Sequence, residues 1–230
     1  MATNYNFSIV RNGLILYLDA SNSKSFVSGS TTWTDISRNG RIGSLINNPA
    51  FVQGSPSYFN FGGTNEQIRV GPVTSNFSNN LTYSIWYYGT TFSGTLFWDD
   101  DSQSGQDSWV SISSSGQFIS NRDPDGFKVM TSVGAATPGV WCNFVFVSRS
   151  TAPNKIFYIN GQFDTSNNTA ITSRSGRSYL TLGYNYDGFN TIAGGSPLRG
   201  RIGMFSVYGR SLSASEVLQN YNATKKRFGL

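Results

Sequence analysis

The stretch LRGRIGMFSVYGRSLSASEVL, residues 198–218, decides the fold of this chain. Apolar residues alternate on both faces of its first half, which predicts a strand covered on both sides. Strict alternation assigns Ile202, Met204 and Tyr208 to one face, and Phe205 and Val207 to the other beside Gly203. We therefore expect a central strand near the end of the chain.

A short capped helix is predicted directly after this strand. Ser213 has the side chain of an N-cap, and Glu216 stands three residues later, which is the capping-box spacing. Leu212 and Val217 occupy the hydrophobic-staple positions around the cap. The helical period predicts one buried face. Its expected members are Ala214, Val217, Leu218 and Tyr221.

Length alone allows one large domain or two small ones, but the sequence has no internal repeat and no Pro/Ser-rich linker, so we expect one domain spanning residues 1–230. Aromatic residues make up 15% and charged residues only 13% of the 230, and bulky apolar residues recur throughout, unlike in a disordered chain. The net charge of +5 comes from scattered basic residues, apart from the run 225–227 in a basic tail, residues 224–230. Nucleic-acid binding would need clustered cations with interleaved aromatics, so we expect none.

The cysteine and histidine content excludes several classes of site. Cys142 is the single cysteine, so an internal disulfide framework is excluded, and its strand-like context predicts a packed thiol. The absence of histidine excludes Ser-His-Asp and Cys-His catalysis. The first residues lack the features of a signal peptide, and no apolar run reaches membrane-spanning length. We expect a soluble protein that is not exported by that route.

Strand signals recur at roughly 8–15-residue spacing, which is typical of an antiparallel two-sheet sandwich or jelly roll. Residues 81–88 alternate cleanly, and Asn160-Gly161 marks a tight hairpin. Segments 58–61 and 67–70, joined by a Gly-rich turn, are predicted to pair. Trp33, Trp86 and Trp141 lie in strand-like segments and are predicted to be core residues. The fold class is thus all-β with a short C-terminal helix.

The order of several motifs resembles the concanavalin A-like, laminin-G-like lectin sandwich. The matching pieces are GLILYLDA (13–20), TTWTDIS (31–37), FNFGGTN (59–65), the strand 81–88, PGVW (138–141), YING (158–161) and residues 200–222. No single motif is decisive, but their order is specific and covers nearly the whole chain. The resemblance implies a two-sheet antiparallel jelly-roll sandwich.

The start of the chain and the terminal NYNATKKRFG (220–229) also resemble proteins encoded by tailed bacteriophages. That resemblance implies a non-enzymatic virion protein on the particle surface, as a capsid decoration or a neck or tail adhesion module. Its partners would be other virion proteins, and host surface polysaccharide and a second copy of the chain, in a homo-oligomer, are further candidates. Residues 1–11 would serve as a docking arm, and the alternative is docking through the basic tail, residues 224–230. The second hypothesis is a calcium-assisted lectin, and the third is a glycoside hydrolase.

Catalysis is not expected. Family enzymes carry Glu-x-Asp-x-x-Glu on one strand, whereas this chain has only two glutamates, Glu66 and Glu216, and neither fits that pattern. The pairs Asp99/Asp101 and Asp123/Asp125 could each share a strand face and supply the two carboxylates of a glycosidase. Both pairs stand in turn-rich polar segments, which favours solvated loops instead.

A calcium site is a candidate in the acidic stretch WDDDSQSGQD, residues 98–107. The family segment Phe-Asp-Gly-x-Asn-Asp appears here as FGGTNE (61–66), without its first aspartate, so the family site is not expected there. Asp99, Asp101 and Asp107 offer the oxygen ligands that Ca²⁺ prefers. The alternative is a solvated acidic loop, or one salt-bridged to a neighbouring subunit.

Glycan binding would use aromatic faces and polar side chains on loops of the sandwich. The candidate residues are Trp98, Trp109, Tyr184, Tyr186 and Phe189. The last three stand in a Gly-bounded segment rich in Asn and Asp. The same composition suits a protein contact, where tyrosine and tryptophan are enriched.

Overall fold

The computed structural model describes residues 8–71, 75–77, 79–101, 108–122, 129–169, 174–185 and 196–230; the side chains of 75–77, 100–101, 121–122 and 174–178 are not described. The described ranges form seventeen strands, one α-helix and one 3₁₀ turn. They are β1 Leu14–Asp19, β2 Thr32–Thr34, β3 Ile42–Ile46, β4 Ala50–Val52, β5 Tyr58–Gly62, β6 Gln67–Val70, β7 Ser75–Phe77, β8 Leu81–Tyr88, β9 Gly94–Asp101, β10 Ser108–Ile112, β11 Gln117–Arg122, β12 Met130–Ala135, β13 Cys142–Ser148, β14 Lys155–Ile159, β15 Gln162–Asn167, β16 Arg174–Leu182, β17 Arg199–Tyr208, helix α1 Ala214–Thr224 and the 3₁₀ turn Lys225–Phe228.

The strands form two antiparallel sheets. The first sheet has the order β15-β14-β13-β8-β17-β5-β4, and β1 also pairs with β17. The second sheet has the order β12-β11-β10-β9-β16-β6-β3-β2, and β7 also pairs with β16. The predicted all-β jelly-roll sandwich with a short C-terminal helix is confirmed.

The main core lies between the sheets and is built by alternation along the strands. In β8, the side chains of Leu81, Tyr83, Ile85 and Tyr87 all enter this core, as the sequence predicts. Trp33 of β2 is fully buried against Phe59 of β5, with ring centroids 4.7 Å apart. Since each fully buried large side chain contributes roughly 1.5–3 kcal/mol, this aromatic layer is a major source of stability.

A second core covers the outer face of the first sheet beneath α1. Trp86 lies here with Trp141, which confirms both as core residues. The ring of Phe228 stacks on Trp86 with centroids 4.1 Å apart and planes 5° from parallel. Gly203 makes room for this ring, because a Cβ there would lie 2.6 Å from the Phe228 ring. Phe228 thereby packs against both β8 and β17.

A β-bulge at Gly203 changes the faces predicted for β17. Ile202 is opposite Tyr87 and Met204 is opposite Trp86, so two residues of β17 span one step of β8. The prediction that Ile202 shares a face with Met204 is therefore wrong. Ile202 enters the core between the sheets, whereas Met204 lies in the core beneath the helix. The extra residue of a bulge reverses the alternation beyond it.

The capping box of α1 forms as predicted. Ser213 Oγ accepts a hydrogen bond from the Glu216 backbone N–H at 3.3 Å. The Ser213 N–H in turn donates to Glu216 Oε2 at 2.9 Å. Leu212 and Val217 are both buried in the core beneath the helix, at the staple positions.

The buried face of α1 is more polar than predicted. It consists of Val217, Asn220 and Thr224, whereas Ala214 and Leu218 are exposed. The first sheet supplies partners for the polar groups: Asn220 Nδ2 donates to the Tyr208 hydroxyl at 3.0 Å, and Trp86 Nε1 donates to Thr224 Oγ1 at 3.1 Å. The helix therefore docks through hydrogen bonds that an apolar-periodicity argument does not anticipate.

The predicted pairing of segments 58–61 and 67–70 is wrong, because the two belong to different sheets. β5 pairs with β4 and β17, and β6 pairs with β3 and β16. The Gly-rich turn carries the chain across the sandwich. Glu66 holds this turn, since its carboxylate accepts hydrogen bonds from the N–H groups of Gly62 and Thr64 at 3.3 and 3.2 Å.

Asp164 joins the two sheets at one side of the sandwich. This residue of β15 accepts hydrogen bonds from the backbone N–H groups of Val133 and Gly134 in β12, at 2.9 and 2.7 Å. β15 and β12 are the outermost strands of the two sheets on this side. A side chain thus satisfies amides that would otherwise lack a strand partner.

The segments flanking the sandwich pack on α1 and β1. Val10 N donates to Asn220 Oδ1 at 2.8 Å, and Gln219 Nε2 donates to the Ser8 carbonyl at 2.9 Å, so Ser8 and Val10 of the predicted arm lie against the helix. The basic tail is also packed, because Phe228 is buried and Arg227 pairs with Asp19. Among the described residues, no helix is both long and apolar enough to span a membrane.

Candidate functional site

Trp98 and Trp109 lie together on the outer face of the second sheet. They are directly opposite each other in the antiparallel pair of β9 and β10. Their strand neighbours Phe97 and Val110 enter the core between the sheets, so alternation directs both tryptophans outward. Both stand in strands rather than in the loops where aromatic contact residues were expected.

The two indoles form one aromatic surface. Their ring centroids are 6.0 Å apart and their planes lie 2° from parallel. Both side chains are half-buried, so part of the pair reaches solvent. On the same face, the hydroxyls of Thr95 and Ser111 are hydrogen-bonded to each other at 3.2 Å. Aromatic surface beside small hydroxyls is the composition of a ligand site.

Unpartnered polar atoms lie beside the pair. Thr181 of β16 is opposite Trp98 in the sheet and is 0% exposed. Among the residues that the structure describes, neither Thr181 Oγ1 nor Trp98 Nε1 has a hydrogen-bond partner, although both atoms are buried. A buried polar group without a partner costs about 1–3 kcal/mol, so these two atoms mark a local cost at this face of the sheet.

The other predicted aromatic contacts are placed differently. Tyr184 follows β16 and is only 7% exposed, so it is not a surface ring. The adjacent Asn185 has a buried Oδ1 without a partner in the described part of the chain. Tyr186 and Phe189 lie outside the described residues. The structure therefore brings together Trp98 and Trp109 of the predicted set.

Asp99 does not lie in a solvated acidic loop, contrary to expectation. β9 extends to Asp101, so Asp99 is a strand residue, and alternation directs it away from Trp98 into the sandwich. It is buried, and the Tyr83 hydroxyl donates a hydrogen bond to Asp99 Oδ2. The turn-forming residues that follow Asp101 in the sequence led to the prediction of a loop for Asp99 and Asp101 as well.

The predicted calcium ligands are only partly described. The side chain of Asp101 and the whole of Asp107, Asp123 and Asp125 lie outside the described set. Within that set, no group of three or more His, Cys, Asp or Glu residues could hold a metal ion. The calcium site in residues 98–107 stays a prediction.

The two glutamates have structural partners. Glu66 binds the turn between β5 and β6 through backbone N–H groups, and these hydrogen bonds lower its pKa against the opposing effect of burial. Glu216 caps α1 and forms an ion pair with Arg210 of 2.6 Å. The hydrogen bonds from Arg210 hold the pKa of Glu216 at about 2, so this carboxylate stays ionised at neutral pH.

Thr181 was not predicted as a site residue. Its segment, residues 179–183, reads as a strand in the sequence, and alternation would place Thr181 on the face opposite Leu180 and Leu182. The missing information is the order of the strands, since only the adjacency of β16 and β9 places this hydroxyl beside Trp98.

Comparison with known proteins agrees with this architecture. A family model described as the concanavalin A-like lectin/glucanases superfamily matches residues 61–218. The chain belongs to this superfamily. No curated protein matches its sequence. The family match includes β9, β10 and β16, the strands that carry the tryptophan pair and Thr181.

Several solved structures share the fold of this superfamily member. Domain 4 of AbnA, a GH43 extracellular arabinanase from Geobacillus stearothermophilus in complex with arabinotriose, is 17% identical with a TM-score of 0.64, over 90% of this chain and 98% of that one. The botulinum neurotoxin type G receptor binding domain is 18% identical with a TM-score of 0.66, over 92% and 51%. Trypanosoma rangeli sialidase with the inhibitor DANA is 13% identical with a TM-score of 0.65, over 93% and 33%.

These likenesses concern the fold alone. The chain spans nearly all of the arabinanase domain, but about half of the neurotoxin domain and a third of the sialidase. Binding domains and glycoside hydrolases thus both occur among its structural neighbours.

Proposed function

We propose that this protein is a non-enzymatic carbohydrate-binding module whose glycan lies on the Trp98–Trp109 pair. The observation that carries the proposal is the parallel indole pair beside two buried unpartnered polar atoms, Trp98 Nε1 and Thr181 Oγ1. The C–H faces of a sugar ring pack on aromatic surface, and its hydroxyls both donate and accept hydrogen bonds. A sugar ring would therefore pack on the exposed part of the two indoles.

The arabinanase domain supports a carbohydrate ligand, because its solved structure is a complex with arabinotriose and this chain covers nearly all of it.

The environment of the acidic residues supports binding without catalysis. Glu66 and Glu216 are engaged in a turn and a helix cap, and Asp99 faces the core. A glycosidase needs two positioned carboxyl groups flanking the bond it cleaves, about 5–9.5 Å apart.

We further propose that the module is displayed on a phage particle, as a capsid decoration or a neck or tail adhesion module. The support is the resemblance of residues 220–229 and of the chain start to phage-encoded proteins. In that setting the tryptophan pair would bind host surface polysaccharide. Labelled antibody against this protein should decorate purified virions, and unlabelled particles would contradict the location.

The binding site is tested with a glycan array, probed with and without Ca²⁺ and followed by titration of the best ligand. We expect Trp98→Ala and Trp109→Ala each to weaken binding at least tenfold. The matched control is Phe163→Ala, which removes an aromatic ring that is 62% exposed in the first sheet. It should change affinity less than twofold.

The outcomes separate the alternatives. Equal binding by the tryptophan variants and wild type would exclude this surface as the site. Binding that disappears with a chelator would identify the protein as a calcium-assisted lectin. Sustained release of reducing ends from arabinan or β-glucan would contradict the non-enzymatic proposal.

A further inference from the structure

A cleft beside β1 and β2 is lined by three exposed cations. It encloses about 730 Å³ between the start of β1, the turn after β1 and the turn after β2. Arg11, Lys24 and Arg38 line it, and all three side chains are exposed. This volume lies within the range of small-molecule sites, about 300–1,000 Å³.

The acidic residue of the cleft does not neutralise these cations. Asp35 is 6% exposed, and its Oδ1 accepts hydrogen bonds from the N–H groups of Tyr17 and Ser37, both at 2.8 Å. Its Oδ2 accepts from the Ser37 hydroxyl at 2.8 Å. In the part of the chain that the structure describes, Arg11, Lys24 and Arg38 make no ion pair.

The surroundings of the cleft do not add negative charge. Burial raises the pKa of the Tyr17 hydroxyl, so the ring beneath Arg11 stays neutral; the guanidinium lies 5.7 Å from its centroid. Asp19, which accepts a hydrogen bond from Tyr17, is paired with Arg227. Arg41 lies beside Asp35 and offsets its charge. The exposed charge of the cleft is therefore that of its three cations.

We propose that this cleft is a second binding site, specific for a saccharide that bears carboxylate or sulfate groups. Arg11, Lys24 and Arg38 would bind the anionic groups by charge-assisted hydrogen bonds. Leu14 and Ile36 supply apolar contact for a sugar ring, and Asn22 and Ser37 supply polar groups. The choice of a saccharide rests on the proposed carbohydrate-binding function, whereas the choice of an anion rests on the cleft alone.

The cleft is separate from the tryptophan pair. β16, β6 and β3 lie between β9 and β2, so four strand spacings, about 19 Å, separate these strands. A nucleic acid fits the cleft less well than a sugar, because single-strand binding uses exposed aromatic faces. The aromatic ring beneath Arg11, Tyr17, is only 7% exposed.

The test is calorimetric titration of the full chain with three polysaccharides: polygalacturonate, dextran sulfate and unsubstituted dextran. We expect at least one of the two anionic polymers to bind at least tenfold more tightly than dextran, and which one binds identifies the anionic group. The double variant Arg11→Gln/Lys24→Gln should weaken that binding at least tenfold. Lys24→Gln alone should weaken it at least threefold, because it removes one of three cations.

Lys226→Gln is the matched control, since it removes one exposed lysine charge outside the cleft. It should change affinity less than twofold, and an effect equal to that of Lys24→Gln would overturn the proposal. Equal affinity for dextran and both anionic polymers would also overturn it, as would tighter binding of a thymidine oligonucleotide. The variant Trp98→Ala/Trp109→Ala should keep anionic binding, so failure of the tryptophan site and failure of the cleft give different results.

Discussion

Arg227 Nη1 lies 2.8 Å from Asp19 Oδ2, so an ion pair ties the last turn of the chain to the end of β1. Asp19 is nearly buried, with 3% of its side chain exposed, whereas Arg227 is 31% exposed. The carboxylate also accepts hydrogen bonds from the Tyr17 hydroxyl and the Ser21 N–H, both at 3.0 Å. Most of the desolvation cost therefore falls on Asp19.

Arg227→Gln should destabilise the protein by about 1–3 kcal/mol, because a buried carboxylate loses its charged partner. The measurement is the urea unfolding midpoint at constant m-value. Lys226→Gln, at the adjacent exposed lysine, should change stability by less than about 0.5 kcal/mol. Equal effects of the two variants would show that the ion pair contributes nothing.

Glu216 predicts a specific acid sensitivity. Its pKa falls from 4.5 to about 2 in the folded protein, chiefly through hydrogen bonds from Arg210. A carboxyl with a depressed folded pKa stabilises the fold above its unfolded pKa and loses that contribution as pH falls. Stability should therefore decline between pH 4.5 and 2 more steeply in wild type than in Glu216→Gln. Parallel pH profiles in urea unfolding would contradict this assignment.

The cap of α1 predicts a local loss of stability. Ser213→Ala removes the side chain that accepts the Glu216 N–H, which should cost about 1 kcal/mol. Glycan binding should be unaffected, because the cap belongs to the helix on the first sheet and the tryptophan pair to the second. Thermal unfolding and titration of the same sample provide both measurements, and a loss of affinity would contradict the prediction.

Gly203 and Phe228 should be energetically coupled. Gly203→Ala places a methyl group 2.6 Å from the Phe228 ring and should destabilise the protein by about 1–3 kcal/mol through overpacking. Phe228→Leu relieves the clash, so the double variant should lose less stability than the sum of the losses in the two single variants. A double-mutant cycle measures this coupling, and additivity would contradict the proposed contact.

Cys142 should be unreactive in the folded protein. Burial raises its thiol pKa to about 12, so little thiolate exists near neutral pH. Modification by Ellman's reagent at pH 8 should be slow in native buffer and should accelerate across the urea unfolding transition. The denatured protein provides the reference rate. A native rate equal to that reference would show an accessible thiol.

Local patterns predicted the parts of the fold that depend on a single segment. The inward residues of β8 and the capping box of α1 follow from spacing alone. The bulge at Gly203 could not be read in this way, because it depends on the partner strand and on the ring of Phe228. The sheet assignments of β5 and β6 also failed, since a turn signal marks a change of direction and not the next partner.

The sequence predicted which aromatic residues belong to the candidate site, but it did not predict how they lie relative to one another. Trp98 and Trp109 stood out by composition, while their contact depends on the register of β9 and β10. Thr181 joins them through strand order, which no local pattern encodes. Short strands such as β4 and β7 have three residues each, too few for alternation to be recognised.

Asp164 has a consequence for how this protein behaves in a crowded solution. Exposed strand edges can recruit the edges of other molecules, and charged side chains at an edge oppose such association. The Asp164 carboxylate accepts hydrogen bonds from two backbone amides of β12, those of Val133 and Gly134. The side chain of Val133 is exposed at this edge. We therefore expect this one acidic residue to oppose edge-to-edge aggregation of the folded protein.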